Sequence, residues 1–156
     1  MNSDRFRKAM RLYASGVCVV TSGTGEDRQG LTVSAVSSVS ADPPMILVCL
    51  NRSAQSHRHI VAAKQFSVNI LRADDDELAM TFAGQSGLHG ARKFDVGTWS
   101  CSGAPILDNA LQSLLCEPAV QHDAGSHTIL IGRVIDIKGG GVGPAMVNFD
   151  GALRAI

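Results

Sequence analysis

The spacing of apolar positions changes several times along the chain, and each change marks an element. Phe6, Met10 and Tyr13, joined by Ala9, recur every three or four residues and predict a short amphipathic helix. Arg5, Arg7, Lys8 and Arg11 form its other face, best read as solvated. Gly16 ends that helix, Val17-Cys-Val-Val-Thr21 predicts a first strand, and Gly23-Thr-Gly25-Glu-Asp27 predicts a hairpin turn. Leu31 to Ser40 reads as a second strand, stopped by Asp42-Pro43-Pro44. Met45 to Asn51 is a third, apolar almost throughout and therefore central. Ser56 to Lys64 predicts helix, Phe66 to Leu71 strand, and Asp74 to Phe82 helix, with acidic residues 74–77 complementing that helix's dipole. Residues 84–105 predict a loop with one helical turn. Strand patterns return at Ala110–Val120, His127–Ile137 and Pro144–Ile156, with Gly139–Gly143 as a hairpin connection. Six or seven strands in mostly hairpin order, with a few short helices, favour an antiparallel barrel over a doubly wound sheet. At 156 residues, without a linker or repeat, the chain reads as one domain, 1–156.

Composition narrows the function classes. Fourteen basic residues balance fourteen acidic ones, a poor basis for neutralising nucleic-acid phosphates. Five Phe, one Trp and one Tyr cannot build an extended base-stacking platform. The longest apolar run, Met45 to Leu50, is far short of the ~18 residues that suggest a membrane span. The charged N-terminus has no apolar leader, and Cys18, Cys49, Cys101 and Cys116 are too scattered for a disulfide framework. The expected location is the cytoplasm. There is no phosphate loop of the G-x-x-x-x-G-K-[ST] type, no G-x-G-x-x-G between strand and helix, no G-x-S-x-G elbow and no zinc spacing, so no metal site is expected.

Three segments remain as candidate chemistry. Thr32-Val-Ser-Ala-Val-Ser-Ser-Val-Ser40 places Thr32, Ser34, Ser38 and Ser40 on one face of a strand, able to line a polar groove or merely to solubilise a sheet face. Leu50-Asn-Arg-Ser-Ala-Gln-Ser56 joins a central strand to a helix and offers Arg52, Ser53 and Ser56 to an anion, or plain helix caps. His127, behind the Gly125 turn at a strand mouth, could donate to a carboxamide or shuttle a proton, or simply be a strand-end residue.

Together these segments resemble the short-chain flavin reductases, the split-barrel family that includes reductase components of two-component monooxygenases. The landmarks run in order from about Phe6 to Ala152: Gly16–Thr21, Gly30–Ser40, Asp42–Pro44, Val48–Ser53, Phe66–Leu71, Phe82-Ala83, Arg92–Phe94, Gly103–Leu107 and Gly125–Val134. The resemblance implies a mainly β, six-stranded antiparallel Greek-key FMN-binding split barrel with peripheral short helices, usually a homodimer. It implies that Thr32, Ser34, Ala35, Ser37 and Ser38 meet the isoalloxazine and ribityl chain of FMN or FAD. Leu50, Asn51, Arg52, Ser53 and Ser56 would hold the phosphate end. Phe82, Ala83, Arg92, Lys93 and Phe94 would close over the flavin tail, and His127 would be the catalytic residue meeting the nicotinamide of NADH or NADPH. The implied activity is hydride transfer to a flavin that diffuses to a partner monooxygenase. The chain departs from the family at Ser126, where Asp is common, and at Asp150 and Leu153, where many relatives carry a basic residue and an aromatic. The alternatives are a reductase that keeps its flavin and serves another acceptor such as a corrin, and a non-enzymatic flavin- or haem-binding barrel.

Overall fold

The structure is a computed structural model describing residues 2–156. In chain order its elements are α1 (Ser3–Met10), β1 (Ser15–Gly16), β2 (Cys18–Ser22), β3 (Gln29–Val33), β4 (Val36–Ala41), β5 (Pro44–Asn51), α2 (His57–Val61), β6 (Phe66–Ile70) and α3 (Asp76–Phe82). Then follow β7 (Trp99–Cys101), β8 (Pro105–Leu107), β9 (Gln112–Ala124), β10 (His127–Lys138), β11 (Met146–Phe149) and β12 (Ala152–Ala155), with 3-10 turns at Gly25–Asp27 and Gly90–Asp95.

Seven strands pair antiparallel in the order β3-β2-β6-β9-β10-β5-β4. The strands at the two ends of that order are consecutive in the chain, separated only by Ser34 and Ala35. With about 3.8 Å between successive Cα atoms, so short a connection requires the sheet to curl until its edges approach. The result is a barrel with a seam at 34–35, where the pairing with β5 reaches its last bond, the Cys49 amide donating to the Ala35 carbonyl at 3.0 Å.

The mainly β barrel class is as the sequence predicts, but the main sheet has one more strand than the expected six. Leu31–Ser40 is not a single strand: β3 pairs with β2 and β4 with β5, so the chain changes partners at the seam. The period-two faces expected across 32–40 are interrupted there. Pro144–Ile156 is likewise two strands, β11 and β12, paired with each other and with β1 in a small separate sheet. Gly139–Gly143 is a crossing between sheets rather than a hairpin. The 84–105 segment contains β7, paired with β8, as well as its helical turn.

Inside the barrel, alternate residues of β5 (Ile46, Val48, Leu50) meet Val20, Val68, Phe66, Leu130 and Ile60, the last from α2, which plugs one end. A second cluster lies outside the wall, where Val17, Val19, Leu71 and Met146 pack under Leu78 and Phe82 of α3 and against Phe94. Every residue of β2 is buried because core covers both of its faces. A buried amide joins the layers. Asn69 Nδ2 donates to the Val19 carbonyl at 3.0 Å, and its Oδ1 accepts from the Leu107 amide at 2.9 Å and from Ser113 Oγ at 2.8 Å.

Candidate functional site

The seam gives the site its position. Where the chain leaves β3, the wall cannot continue its ladder, and a trough opens between β3, the 51–56 turn and the C-terminal end of α3. Its deepest section is a cavity of about 350 Å³ whose lining includes Thr32, Asn51, Ser56, Phe82, Ala83 and Lys93. These six predicted residues are widely separated in sequence, and the fold brings them together. Leu31, Gln55, Gly84 and His89 complete much of the wall. A second section, about 430 Å³, shares Thr32 and Ala83 with the first and adds Ser34, Met80, Asn148 and Leu153. A third, about 650 Å³, shares Ser34 and Asn148, adds Ala35, and is roofed by α1.

Hydrogen bonds define what the deep section can accept. Thr32 Oγ1 donates to the Ala79 carbonyl of α3 at 2.6 Å, and Ser56 Oγ donates to the Gly30 carbonyl at 2.8 Å. Both hydroxyl protons are committed to backbone, so the lone pairs facing the cavity accept. Walls of this kind suit a ligand that brings its own hydroxyl donors. Lys93 supplies the opposite polarity: it is buried, its Nζ donates to the Gly30 carbonyl at 3.3 Å, and two of its three protons remain for an anion. Burial pulls its ammonium below the ordinary lysine value of 10.5. Gly30 is required beneath this arrangement, because a Cβ there would lie 2.7 Å from the Phe82 ring. Phe82 in turn is held by Phe94 and Trp99, with ring centroids 5.0 and 5.3 Å away.

The remaining predicted residues take other places. Leu50 is fully buried in the barrel core. Asn51 Oδ1 accepts from the Ser53 amide at 3.0 Å and from Ser53 Oγ at 2.9 Å, closing the 51–53 turn on itself. The helix that follows has only five residues, fewer than the nine expected for 56–64, and little dipole to offer an anion. Arg52 lines a neighbouring groove. Arg92 is exposed and pairs with Asp95 at 3.5 Å, while Phe94 supports Phe82 from behind. Ser37 and Ser38 sit exposed on edge strand β4, with Ser37 Oγ donating to the Ser38 carbonyl at 3.1 Å; they line none of the three sections.

His127 stands opposite Asn51 in the β10–β5 register. It is half-buried at the start of β10, its Nδ1 2.9 Å from Ser126 Oγ. Directly behind it, Thr128 Oγ1 donates to Asp123 Oδ1 at 2.7 Å and must therefore accept from His57 Nε2 at 2.8 Å. That hydroxyl, with Arg52 nearby, holds the Asp123 carboxyl below its usual range. The chain Asp123–Thr128–His57 fixes the hairpin carrying His127 against α2 and the 51–56 turn.

Gln55 lay inside a segment already singled out in sequence, but His89 and Asn148 carried no signal, since both reach the trough only through long connections. Among the described residues, no group of three or more His, Cys, Asp or Glu is arranged to hold a metal. No described helix is long and apolar enough to cross a membrane.

Known proteins carry the same design. The family model described as "Flavin reductase like domain" matches residues 10–156. An FMN reductase (NADH), RutF, of Agrobacterium fabrum is 35% identical over 153 residues, covering 97% of this chain and 87% of that protein. BorF, the flavin reductase component of a bacterial two-component tryptophan halogenase, superposes with a TM-score of 0.90 at 32% identity, covering 99% of this chain and 98% of BorF. The NADH:FAD oxidoreductase SgcE6 of Streptomyces globisporus, solved in complex with NAD and FAD fragments, gives a TM-score of 0.88 at 30% identity over 98% of this chain and 92% of its own. A barrel split at 34–35, with a hydroxyl-lined trough ending on a buried lysine and a family match along nearly its whole length, places this chain in the flavin reductase-like domain family.

Proposed function

We propose that the protein is an NADH-dependent flavin reductase that reduces FMN or FAD and releases the product to a separate flavin-dependent oxygenase. The observation that carries this reading is the polarity of the trough. Hydroxyl lone pairs of Thr32 and Ser56 line its middle and the Lys93 ammonium closes one end, matching a ribityl chain terminated by phosphate.

The residues of this chain bind and align rather than react. Lys93 would hold the phosphate, Thr32 and Ser56 would accept from ribityl hydroxyls, and Phe82 and Ala83 would wall the chain. The ring would then extend toward Ser34 and Ala35, where backbone of the seam is open. The flavin supplies the electron chemistry when bound, taking a hydride from the nicotinamide. His127 is assigned to the nicotinamide side, oriented by Ser126. NADH is favoured over NADPH by relatives named for NADH. Release to a partner fits modest affinity: association near ~10⁶ M⁻¹s⁻¹ with release at ~10 s⁻¹ corresponds to a Kd of about 10 μM. BorF, which serves a tryptophan halogenase, supports a two-component arrangement.

We further assign a homodimer. The outward residues Leu47 and Cys49 of β5 and Ile129 and Ile131 of β10 form an apolar patch on the barrel wall, beside His127. α1 buries none of its residues, leaving Phe6 55% exposed, and Tyr13 just beyond the helix is 69% exposed. A second copy would cover both surfaces. The cytoplasm, which supplies reduced nicotinamide cofactor, is the assigned location, and four unbridged cysteines suit it.

The test is flavin-dependent oxidation of NADH, with sedimentation of the same sample to read the dimer. Bound flavin with no nicotinamide oxidation would instead favour the non-enzymatic barrel.

A further inference from the structure

Beyond the buried lysine the trough continues. Ala54 and Gln55 are shared between the deep section and a groove of about 480 Å³ running outward across the 52–59 segment. The groove is lined by Arg52, Arg58, His57, His59, Gln29 and Gln55, with no carboxylate among its lining residues. In a chain whose basic and acidic residues balance at fourteen each, that local excess is a specific feature. Arg52 leans toward Asp123 at 3.7 Å across the edge of the groove. Among the described residues Arg58 has only the neighbouring His59 ring, 3.4 Å from its Nε.

A flavin mononucleotide needs one anion site, and Lys93 provides it. A second cationic surface, continuous with the first and following it along the ligand's path, has no use for FMN. We infer that this groove receives the adenosine-phosphate half of FAD, with Arg58 meeting the second phosphate and the side-chain NH2 groups of Gln29 and Gln55, whose oxygens face Ser56 and His89, available to the nucleoside. FAD is thus the preferred flavin of this chain. The inference rests on the flavin reading above and adds a choice of ligand to it. The same nucleotide chemistry could come from the adenosine end of NADH. The continuity with the phosphate end, rather than with the ring end where the nicotinamide must react, assigns the groove to FAD.

The experiment is titration of wild type, Arg58→Gln and Arg58→Glu with riboflavin, FMN and FAD, followed by flavin fluorescence. The FMN phosphate and the FAD pyrophosphate carry comparable charge, so a long-range field shifts both alike. Wild type should bind FAD about tenfold more tightly than FMN, the worth of one charged hydrogen-bonded contact. In Arg58→Glu the ratio should fall to about one, with Arg58→Gln between. Equal Kd values for FMN and FAD in wild type, or an equal loss for both flavins in the variants, would overturn the assignment. So would an unchanged FAD affinity accompanied by a raised KM for NADH, which would give the groove to the nicotinamide nucleotide. Failure of wild type to bind any flavin would instead remove the flavin reading itself.

Discussion

The two ends of the trough are built differently. At the phosphate end, Ser56 and Lys93 converge on one carbonyl, Gly30, while Phe82 is wedged between that glycine and two further aromatic rings. Every group there is held by core. At the seam end, Ser34 and Ala35 face a cavity of about 650 Å³ whose far side is α1, a helix with no buried residue. α1 is tethered mainly at its end, where Arg11 donates to the Asp150 carbonyl at 3.0 Å. The contrast separates two tasks. In the proposed reading the phosphate end holds the part of the ligand that takes no part in the reaction, and the groups assigned to it all come from one chain. The ring end, where a second substrate must enter and leave, is left for a partner surface or a ligand to finish.

The largest effect should follow from removing the wedge. Phe82→Ala leaves a hole beneath α3 beside Phe94 and Trp99 and should destabilise the fold by about 3–5 kcal/mol, read as a lowered Tm and loss of flavin binding together. Gly30→Ala tests the same wedge from the opposite side, by pushing the ring. If either variant keeps its Tm and its flavin affinity, the phosphate end is not the rigid element described.

Lys93→Met should weaken FMN binding by roughly 1.5–3 kcal/mol, the range for a hydrogen bond to a charged group, while leaving riboflavin nearly unaffected. pH gives the same information with a definite sign. Burial favours the neutral amine, so Lys93 loses its proton below the ordinary lysine value of 10.5. Bound phosphate favours the ammonium, so binding takes up protons. FMN affinity should therefore fall as pH rises through that lowered value, and riboflavin affinity should not. Parallel pH curves for the two ligands would contradict the role of Lys93.

Much of this was legible in the residues. Strands β2, β5, β6, β9 and β10 fall on segments whose alternation or apolar runs predict strand, and Asn51, Ser56, Phe82, Ala83 and Lys93 line one cavity. What sequence could not supply was the break at Ser34–Ala35. The alternation from Thr32 slips at Ala35-Val36, two apolar residues in succession, but the stretch contains no glycine or proline and the slip alone does not reveal a change of partner. The break comes from barrel closure, a property of the whole sheet, and it leaves Ser37 and Ser38 on an edge away from the trough. Phe94 and Arg92 show a similar limit. Neighbours in sequence, they point to opposite environments because a 3-10 turn directs Lys93 and Phe94 inward.

Smaller effects belong to the open end. His127→Ala should lower kcat/KM for NADH by about tenfold, the equivalent of one hydrogen bond, with flavin Kd unchanged. A parallel loss of flavin affinity would move His127 from the nicotinamide to the flavin. The smallest effect expected is Tyr13→Ala, just after α1: within about 0.5 kcal/mol on stability at high concentration, as for other surface positions, but with a weakened dimer on dilution. An unchanged dimer would take α1 out of the interface.

The most direct test is the oxidation of NADH followed at the nicotinamide absorbance, with FMN and then FAD added to the purified protein. The account predicts slow oxidation without flavin and rapid, saturable oxidation with either flavin, at lower concentration for FAD. No acceleration by either flavin, in a sample that demonstrably binds them, would contradict it.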